Sequence, residues 1–322
     1  VSIIEKAASR IDQQRQNAAA TPAAVIVADP QEPITPDAGY VPRRPQEQAA
    51  TPAAPADASS VAPAVTPAVA PAVAPPSGRH STRRIELDLA RMRELGMVTA
   101  AGGRTNLLEE FRIIKRPLLK RAFTERGPKD NPGNLIMVTS SLPGEGKTYS
   151  AINLAMSIAM ELDHTVLLVD ADVARPSVLR TLGLPAQRGL MDILLDDTLD
   201  LADVMLRTNV DTLSILPAGT STPRATELLA SSTMTAMVHE LANRYPDRVI
   251  IFDSPPLMLT SESRVLASHM GQIVVVVEAQ TTTQHAVKEA LQQLEGMANV
   301  NLLYNKTRDI PGIEETYDYH YG

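Results

Sequence analysis

Cysteine is absent from the 322-residue chain, so neither disulfides nor thiol chemistry can enter its fold or its function. That usage suits a reducing compartment. No uninterrupted apolar run in the sequence approaches the roughly 20 residues that cross a bilayer, and no cleavable leader pattern opens it. A soluble, cytoplasmic protein is therefore expected. Positive charge is also scarce: 30 Lys and Arg against 37 Asp and Glu leave a net charge of −7, which argues against bulk nucleic-acid binding. What is plentiful is apolar content, 44% of the chain, enough for one large α/β domain with extras.

The most informative stretch runs from Leu135 to Ala159. An apolar run, Leu135-Ile136-Met137-Val138-Thr139, leads into Ser140-Ser141-Leu142-Pro143-Gly144-Glu145-Gly146-Lys147-Thr148, and a helical pattern follows. A strand feeding a glycine-containing loop that opens a helix is the context of a phosphate-binding P-loop. Gly144 and Gly146 let successive backbone N–H groups turn inward toward phosphate oxygens, and the helix dipole adds to the attraction. Lys147 would reach the β- and γ-phosphates and Thr148 would sit on Mg²⁺. Ser141 stands where the first glycine of such loops usually is.

Taken in order, Ser2-Ile3-Ile4-Glu5 has capping-box form and is followed by apolar residues at helical spacing, which predicts a short amphipathic helix over 1–16. Such a helix is marginal alone, so it either docks on this domain, a partner or a membrane surface, or frays. Residues 17–82 are rich in Pro, Ala, Thr and Gln, with proline at every fourth position toward the end. This is a disordered, semi-extended linker, a tether rather than a proline-motif ligand. From Arg83 the patterning resumes. Ile85, Leu87, Leu89, Met92 and Leu95 mark one helical segment; Leu107, Leu108, Phe111, Ile114 and Leu118 mark a basic helix over 105–121 that Pro117 should kink or end. A basic helix is a solvated face, a subunit contact or a contact with an anionic membrane surface.

Beyond the loop, a helix is predicted from Lys147 to Leu162 with Leu162 on its buried face, then the strand Thr165 to Asp172. Alternation along that strand would aim Asp170 and Asp172 the same way. Further apolar runs at 213–217, 249–253, 273–277 and 300–305, separated mostly by helical segments at 224–229, 233–244 and 283–297, predict a doubly wound, mostly parallel sheet of P-loop NTPase type with helices on both faces. Its expected extent is 83–306. Asp253 ends one of these runs, at the edge where such sheets bind ligands and where a carboxylate serves Mg²⁺. A second carboxylate could accept a proton from an attacking hydroxyl.

Together, Ser140 to Thr148, Leu168-Val-Asp-Ala-Asp-Val-Ala-Arg-Pro176 and Ile250-Ile-Phe-Asp-Ser-Pro-Pro256 resemble the Walker A, A′ and B motifs of the bacterial tyrosine kinases. The similarity is to the cytoplasmic autokinases of exopolysaccharide loci, including the exosortase-associated branch. It implies ATP and Mg²⁺ as cofactors and a cradle of Ser141, Pro143, Gly144, Glu145, Gly146, Lys147, Thr148, Tyr149 and Asn305. Lys147, Asp170, Asp172 and Asp253 would be catalytic, with Thr148, Asp172 and Asp253 on the metal and Asp170 the base for the tyrosine hydroxyl. The family's paired arginines after the A′ carboxylates are here Ala174-Arg175. Its ring-forming Glu-x-x-Arg-x-x-Arg helix is similar to Glu109-Glu-Phe-Arg112-Ile-Ile-Lys115, with Arg116 placed to supply the missing charge. The resemblance also implies a ring-like homo-oligomer and an activating membrane polysaccharide co-polymerase that holds the kinase at the inner membrane. A cognate tyrosine phosphatase is implied too. Tyr317, Tyr319 and Tyr321, in a flexible tail over 307–322, would be phosphorylated in trans, regulating exopolysaccharide polymerisation and export.

Two other classes share this fold. A ParA/MinD-type ATPase carries an extra lysine five residues before the main one, where this chain has Leu142; a GTP switch presents Asn-Lys-x-Asp, whereas Asn305-Lys306 continues into Thr307-Arg308. A nucleotide-dependent assembly scaffold without significant kinase activity is the non-enzymatic alternative.

Overall fold

The computed structural model describes residues 83–307, apart from 101, 102, 104, 125, 126, 128, 129 and 246. The helix expected over 1–16, the linker over 17–82 and the tail with Tyr317, Tyr319 and Tyr321 lie outside the described residues.

The strands are β1 (Arg83–Arg84), β2 (Leu135–Ser140), β3 (Thr165–Asp170), β4 (Leu206–Arg207), β5 (Leu213–Leu216), β6 (Arg248–Asp253), β7 (Gln272–Glu278) and β8 (Val300–Asn305). They form one sheet in the order β1-β4-β5-β3-β6-β2-β7-β8. Every pairing is parallel except β4 with β5. The helices are α1 (Leu89–Glu94), α2 (Asn106–Ala122), α3 (Lys147–Ala159), α4 (Val178–Thr181), α5 (Leu190–Leu195), α6 (Leu201–Val204), α7 (Ala225–Leu229), α8 (Ser232–Arg244), α9 (Glu262–Ala267) and α10 (Gln284–Gln292).

Strand parity explains why both faces are covered. Leu135, Met137, Ile250, Phe252, Ile273 and Val275 enter one apolar layer beneath α5 and α7 to α10, while Ile136, Val138, Val249, Ile251, Val274 and Val276 enter another beneath α1 to α3. Period-two alternation on strands that are apolar at every position can be buried only between two helical layers. The chain leaves β2 toward β3 on one side and later returns to β7 on the other, and ligands bind such sheets at the strand C-termini near this reversal.

Several expectations need correction. The first helix covers only Leu89–Glu94, because Ile85 donates its N–H to the Arg207 carbonyl at 2.8 Å, drawing 83–85 to the sheet edge, while Asp88 caps the helix by accepting from Arg91 N at 2.9 Å. Of the kink or end expected at Pro117, the end is overturned: α2 runs on to Ala122. Packing of Leu118 and Ala122 in the core on its far side outweighs the lost backbone bond. Helix α3 stops at Ala159, leaving Leu162 98% exposed rather than buried. Strand β3 stops at Asp170, so Asp172 lies on a turn and the two carboxylates do not share a strand face.

Candidate functional site

Strand β2 runs into the loop Ser141–Gly146 and then α3. Gly144 (φ 90°) and Gly146 (φ 97°) sit in the left-handed region, where side chains are strained. At Gly146 space matters as well: a Cβ would lie 2.1 Å from Asn305 Nδ2. That amide donates to the Glu145 carbonyl at 2.8 Å, and Lys306 Nζ donates to the Gly144 carbonyl at 2.8 Å. The Glu145 carboxylate accepts from Leu142 N at 2.6 Å and from the Thr282 hydroxyl. The loop is thus held through the ends of β7 and β8, which lie far away in the sequence.

Beside it, β6 lies between β2 and β3, with Val138 and Asp170 both in register with Asp253. Lys147 Nζ is 2.7 Å from Asp172 Oδ2 and 3.7 Å from Asp253 Oδ1. Thr148 Oγ1 donates to Asp253 Oδ2 at 2.7 Å. Its single proton is then committed, so at the 2.7 Å Ser177 contact the serine hydroxyl is the donor. Asp170 Oδ2 accepts from the backbone of Ser177 at 3.0 Å and Val178 at 2.9 Å, while Arg175 N donates to Asp172 Oδ1 at 3.2 Å.

Burial pushes Asp253 up to about 6 despite Lys147 beside it, and burial reinforced by the Asp253 charge pushes Asp170 up to about 7. Burial pulls Lys147 down, but the Asp253 and Asp172 charges outweigh it and the ammonium is held above its ordinary range. A positive lysine among three carboxylates is the electrostatic centre of the site.

A divalent cation fits this donor set. The buried Oδ1 atoms of Asp170 and Asp253 have no hydrogen-bond partner, and oxygen-only acceptors suit Mg²⁺. Among the described residues no cluster of three or more His, Cys, Asp or Glu could hold a metal by itself. Thr148, Asp172 and Asp253 would therefore share the ion with phosphate oxygens and water, the usual manner of Mg²⁺. These groups open onto a cleft of about 220 Å³ whose lining includes Pro143, Gly144, Lys147, Asp172, Arg175, Arg180, Pro255, Pro256, Leu259 and Thr260.

Residues 133–307, more than half of the chain, match the AAA domain family. Tyrosine-protein kinase YwqD of Bacillus subtilis is 31% identical over 181 residues, which cover 56% of this chain and 72% of that protein. The chain belongs to the AAA domain family, in its bacterial tyrosine kinase branch. Tyrosine-protein kinase CpsD of Streptococcus agalactiae is similar at 29% identity, covering 54% of this chain and 76% of that one. The solved kinase domain of Escherichia coli tyrosine kinase ETK is similar with a TM-score of 0.56 at 26% identity, over 66% of this chain and 81% of that one.

In this bacterial tyrosine kinase the structure gathers Lys147, Thr148, Asp170, Asp172 and Asp253 at one end of the sheet, but it distributes the other expected residues differently. Ser141 opens the loop, buried with its hydroxyl unbonded, and Tyr149 turns away to donate to the Gly96 carbonyl at 2.5 Å. The Asn305 amide is engaged with the loop backbone. On α2, Glu109 and Arg112 form an ion pair on the outer face, and Arg116 is exposed. Lys115 is not part of that stripe: it is 4% exposed, donates to the Ser157 carbonyl at 2.6 Å and pairs with Glu161. At about 100° per residue Lys115 lies roughly 120° around the axis from Glu109, so the third position of the motif faces α3. Sequence reading passed over Ser177, Arg180, Thr282 and Lys306. Only Ser177 had a local signal, standing just past the A′-like run; the others reach the site through the fold.

Proposed function

We propose that this chain is an ATP-dependent, Mg²⁺-requiring protein-tyrosine autokinase that phosphorylates the Tyr317, Tyr319 and Tyr321 tail of a neighbouring copy. The observation that carries the reading is the Lys147 ammonium, bridging Asp172 and Asp253 beside Thr148 at the mouth of an open cleft. In phosphoryl transfer the protein supplies positioning and charge more than covalent chemistry. Lys147 and the loop N–H groups bind the phosphates, and Thr148, Asp172 and Asp253 would hold Mg²⁺, which would supply charge neutralisation at the phosphoryl oxygens. The phosphoryl group passes to the phenolic oxygen, ADP departs, and the phenolic proton is taken by Asp170. Its elevated proton affinity and its unpartnered Oδ1 support that role.

The outer face of α2 supports assembly into a ring: Glu109, Arg112 and Arg116 lie at helical spacing around Ile113, an isoleucine left 67% exposed. Among the described residues no helix is long and apolar enough to cross a membrane. Peripheral attachment at the inner membrane through a polysaccharide co-polymerase, which would also activate the kinase, completes the reading. A tyrosine phosphatase would reset it, and exopolysaccharide polymerisation and export would be its output.

Purified protein incubated with Mg²⁺ and γ-labelled ATP tests the reading by comparing phosphotyrosine with released phosphate. Labelled tyrosine that vanishes in Asp170→Asn, while Mg-ATP binding persists, is the expected result. Phosphate release with no phosphotyrosine, with or without a membrane partner, would leave an ATPase or scaffold. Loss of nucleotide binding in Asp170→Asn would assign that residue to the metal instead.

A further inference from the structure

The cleft has two chemically distinct margins. Lys147, Asp172 and the loop supply its phosphate-binding part, and Pro255, Pro256 and Leu259 supply an apolar part. The same lining includes Arg175 and Arg180, five residues apart and both exposed. Neither guanidinium has an ion-pair partner among the described residues. The neighbouring cation, Lys147, is by contrast committed to two carboxylates. An arginine left unpaired at a cleft rim is hydrated weakly and presents a planar fork suited to carboxylates.

The chain itself contains a complementary segment. Tyr317 is flanked by Glu314, Glu315 and Asp318, whereas residues 313–322 contain no Lys or Arg. We infer that Arg175 and Arg180 form an acceptor-recognition site that selects tyrosines embedded in acidic sequence, the tail of a second copy being the occupant. The phenol ring would lie along the proline and leucine wall while the flanking carboxylates meet the two guanidiniums. The cation rim thereby serves selection of the acceptor, and the phosphate side serves transfer. This inference rests on the kinase reading and specifies its substrate.

The test uses full-length kinase carrying Tyr317→Phe, Tyr319→Phe and Tyr321→Phe, so that incorporated label reports only an added peptide. Three peptides spanning residues 313–322 are compared: the native one, one with Glu314, Glu315 and Asp318 changed to Gln, Gln and Asn, and one with all three changed to Lys. The native peptide should be preferred over the neutral one by roughly three- to tenfold in kcat/KM, through peptide KM, and the preference should shrink as salt rises. Arg175→Glu with Arg180→Glu should abolish that preference and favour the lysine peptide; Arg175→Gln with Arg180→Gln should abolish it without reversal. Arg93→Glu, the same charge change at an exposed arginine outside the cleft lining, should leave the peptide ranking intact. An unchanged ranking in the double variants, or a rise in KM for ATP with the ranking intact, overturns the inference and assigns the arginines to the nucleotide. Equal use of all three peptides by the parent overturns the inference alone, whereas failure to phosphorylate any peptide overturns the kinase reading with it.

Discussion

The P-loop and the outer face of α2 both carry charged side chains but are built in opposite ways. Around the loop each functional group is held by another: Glu145 by Leu142 and Thr282, the Gly144 and Glu145 carbonyls by Lys306 and Asn305, Thr148 by Asp253 and Ser177. On α2, Glu109 and Arg112 pair within one helical turn, and Ile113 projects into solvent. A site that must place donors to within a fraction of an ångström needs support on all sides. A surface that joins another copy needs complementarity, and its energy is realised only on contact.

The largest expected effect breaks the buried side of this comparison. Lys147→Met should lower tyrosine phosphorylation at least about a thousandfold, because it removes a charge aimed at the transferring phosphoryl group. It should also lower the melting temperature, since Asp172 and the fully buried Asp253 lose their counter-charge. Label incorporation and thermal unfolding measured on one preparation check both; an unchanged melting temperature would mean that the ammonium adds nothing to the fold.

Gly146→Ala comes next. The new Cβ would meet the Asn305 amide on a backbone at φ 97°, costing about 1–3 kcal/mol and nucleotide affinity together. Asn305→Ala should relieve the clash but not the dihedral, so the double variant should recover part of the stability in denaturant titration. No recovery would show that backbone strain alone sets the cost.

Lys115 and Ile113 sharpen the comparison on α2 itself. Lys115→Ala should destabilise the domain by about 1.5–3 kcal/mol, as a buried charged donor to Ser157 and Glu161 is lost. Ile113→Asp should leave monomer stability within about 0.5 kcal/mol, as exposed positions do, and shift light scattering toward a smaller species. If both variants change only assembly, or both only stability, the two-faced reading of α2 fails.

The smallest effect is at Asp192, on α5. Burial pushes its carboxyl up, but bonds from Gly189 N at 2.8 Å, Thr220 N at 3.1 Å and the Thr220 hydroxyl at 2.8 Å outweigh that and hold it below the ordinary carboxylate range. With the folded value depressed, its contribution is complete above the unfolded value near 4 and is lost as pH falls through the folded one. Asp192→Asn should therefore flatten the acid side of the stability profile by about 1 kcal/mol while leaving its neutral and basic sides parallel to the parent. A parallel acid limb would show that the carboxylate contributes nothing by ionisation.

The amino-acid sequence by itself determined the parallel sheet and its two helical layers. Strands that are apolar at every position, from Leu135 to Val138 or Ile273 to Val277, admit no solvent-facing side, and glycines at 144 and 146 before a lysine and a helix leave little choice of loop. Local chemistry of this kind acts over a few residues, so Lys147, Thr148, Asp170, Asp172 and Asp253 were all legible. Which carboxylate meets which partner was decided by the fold. Asp172 lies two residues past the end of the strand and turns to Lys147, while Asp170 is fixed by the backbone at 177 and 178. Helical spacing placed Lys115 near the charged stripe, but only the packing of α3 against α2 could show that its ammonium ends on Ser157, and only strand order could bring Asn305 and Lys306 to the loop. Such contacts span 42 and more than 150 residues, and no pattern within one element carries them, because they form only when several elements have already packed.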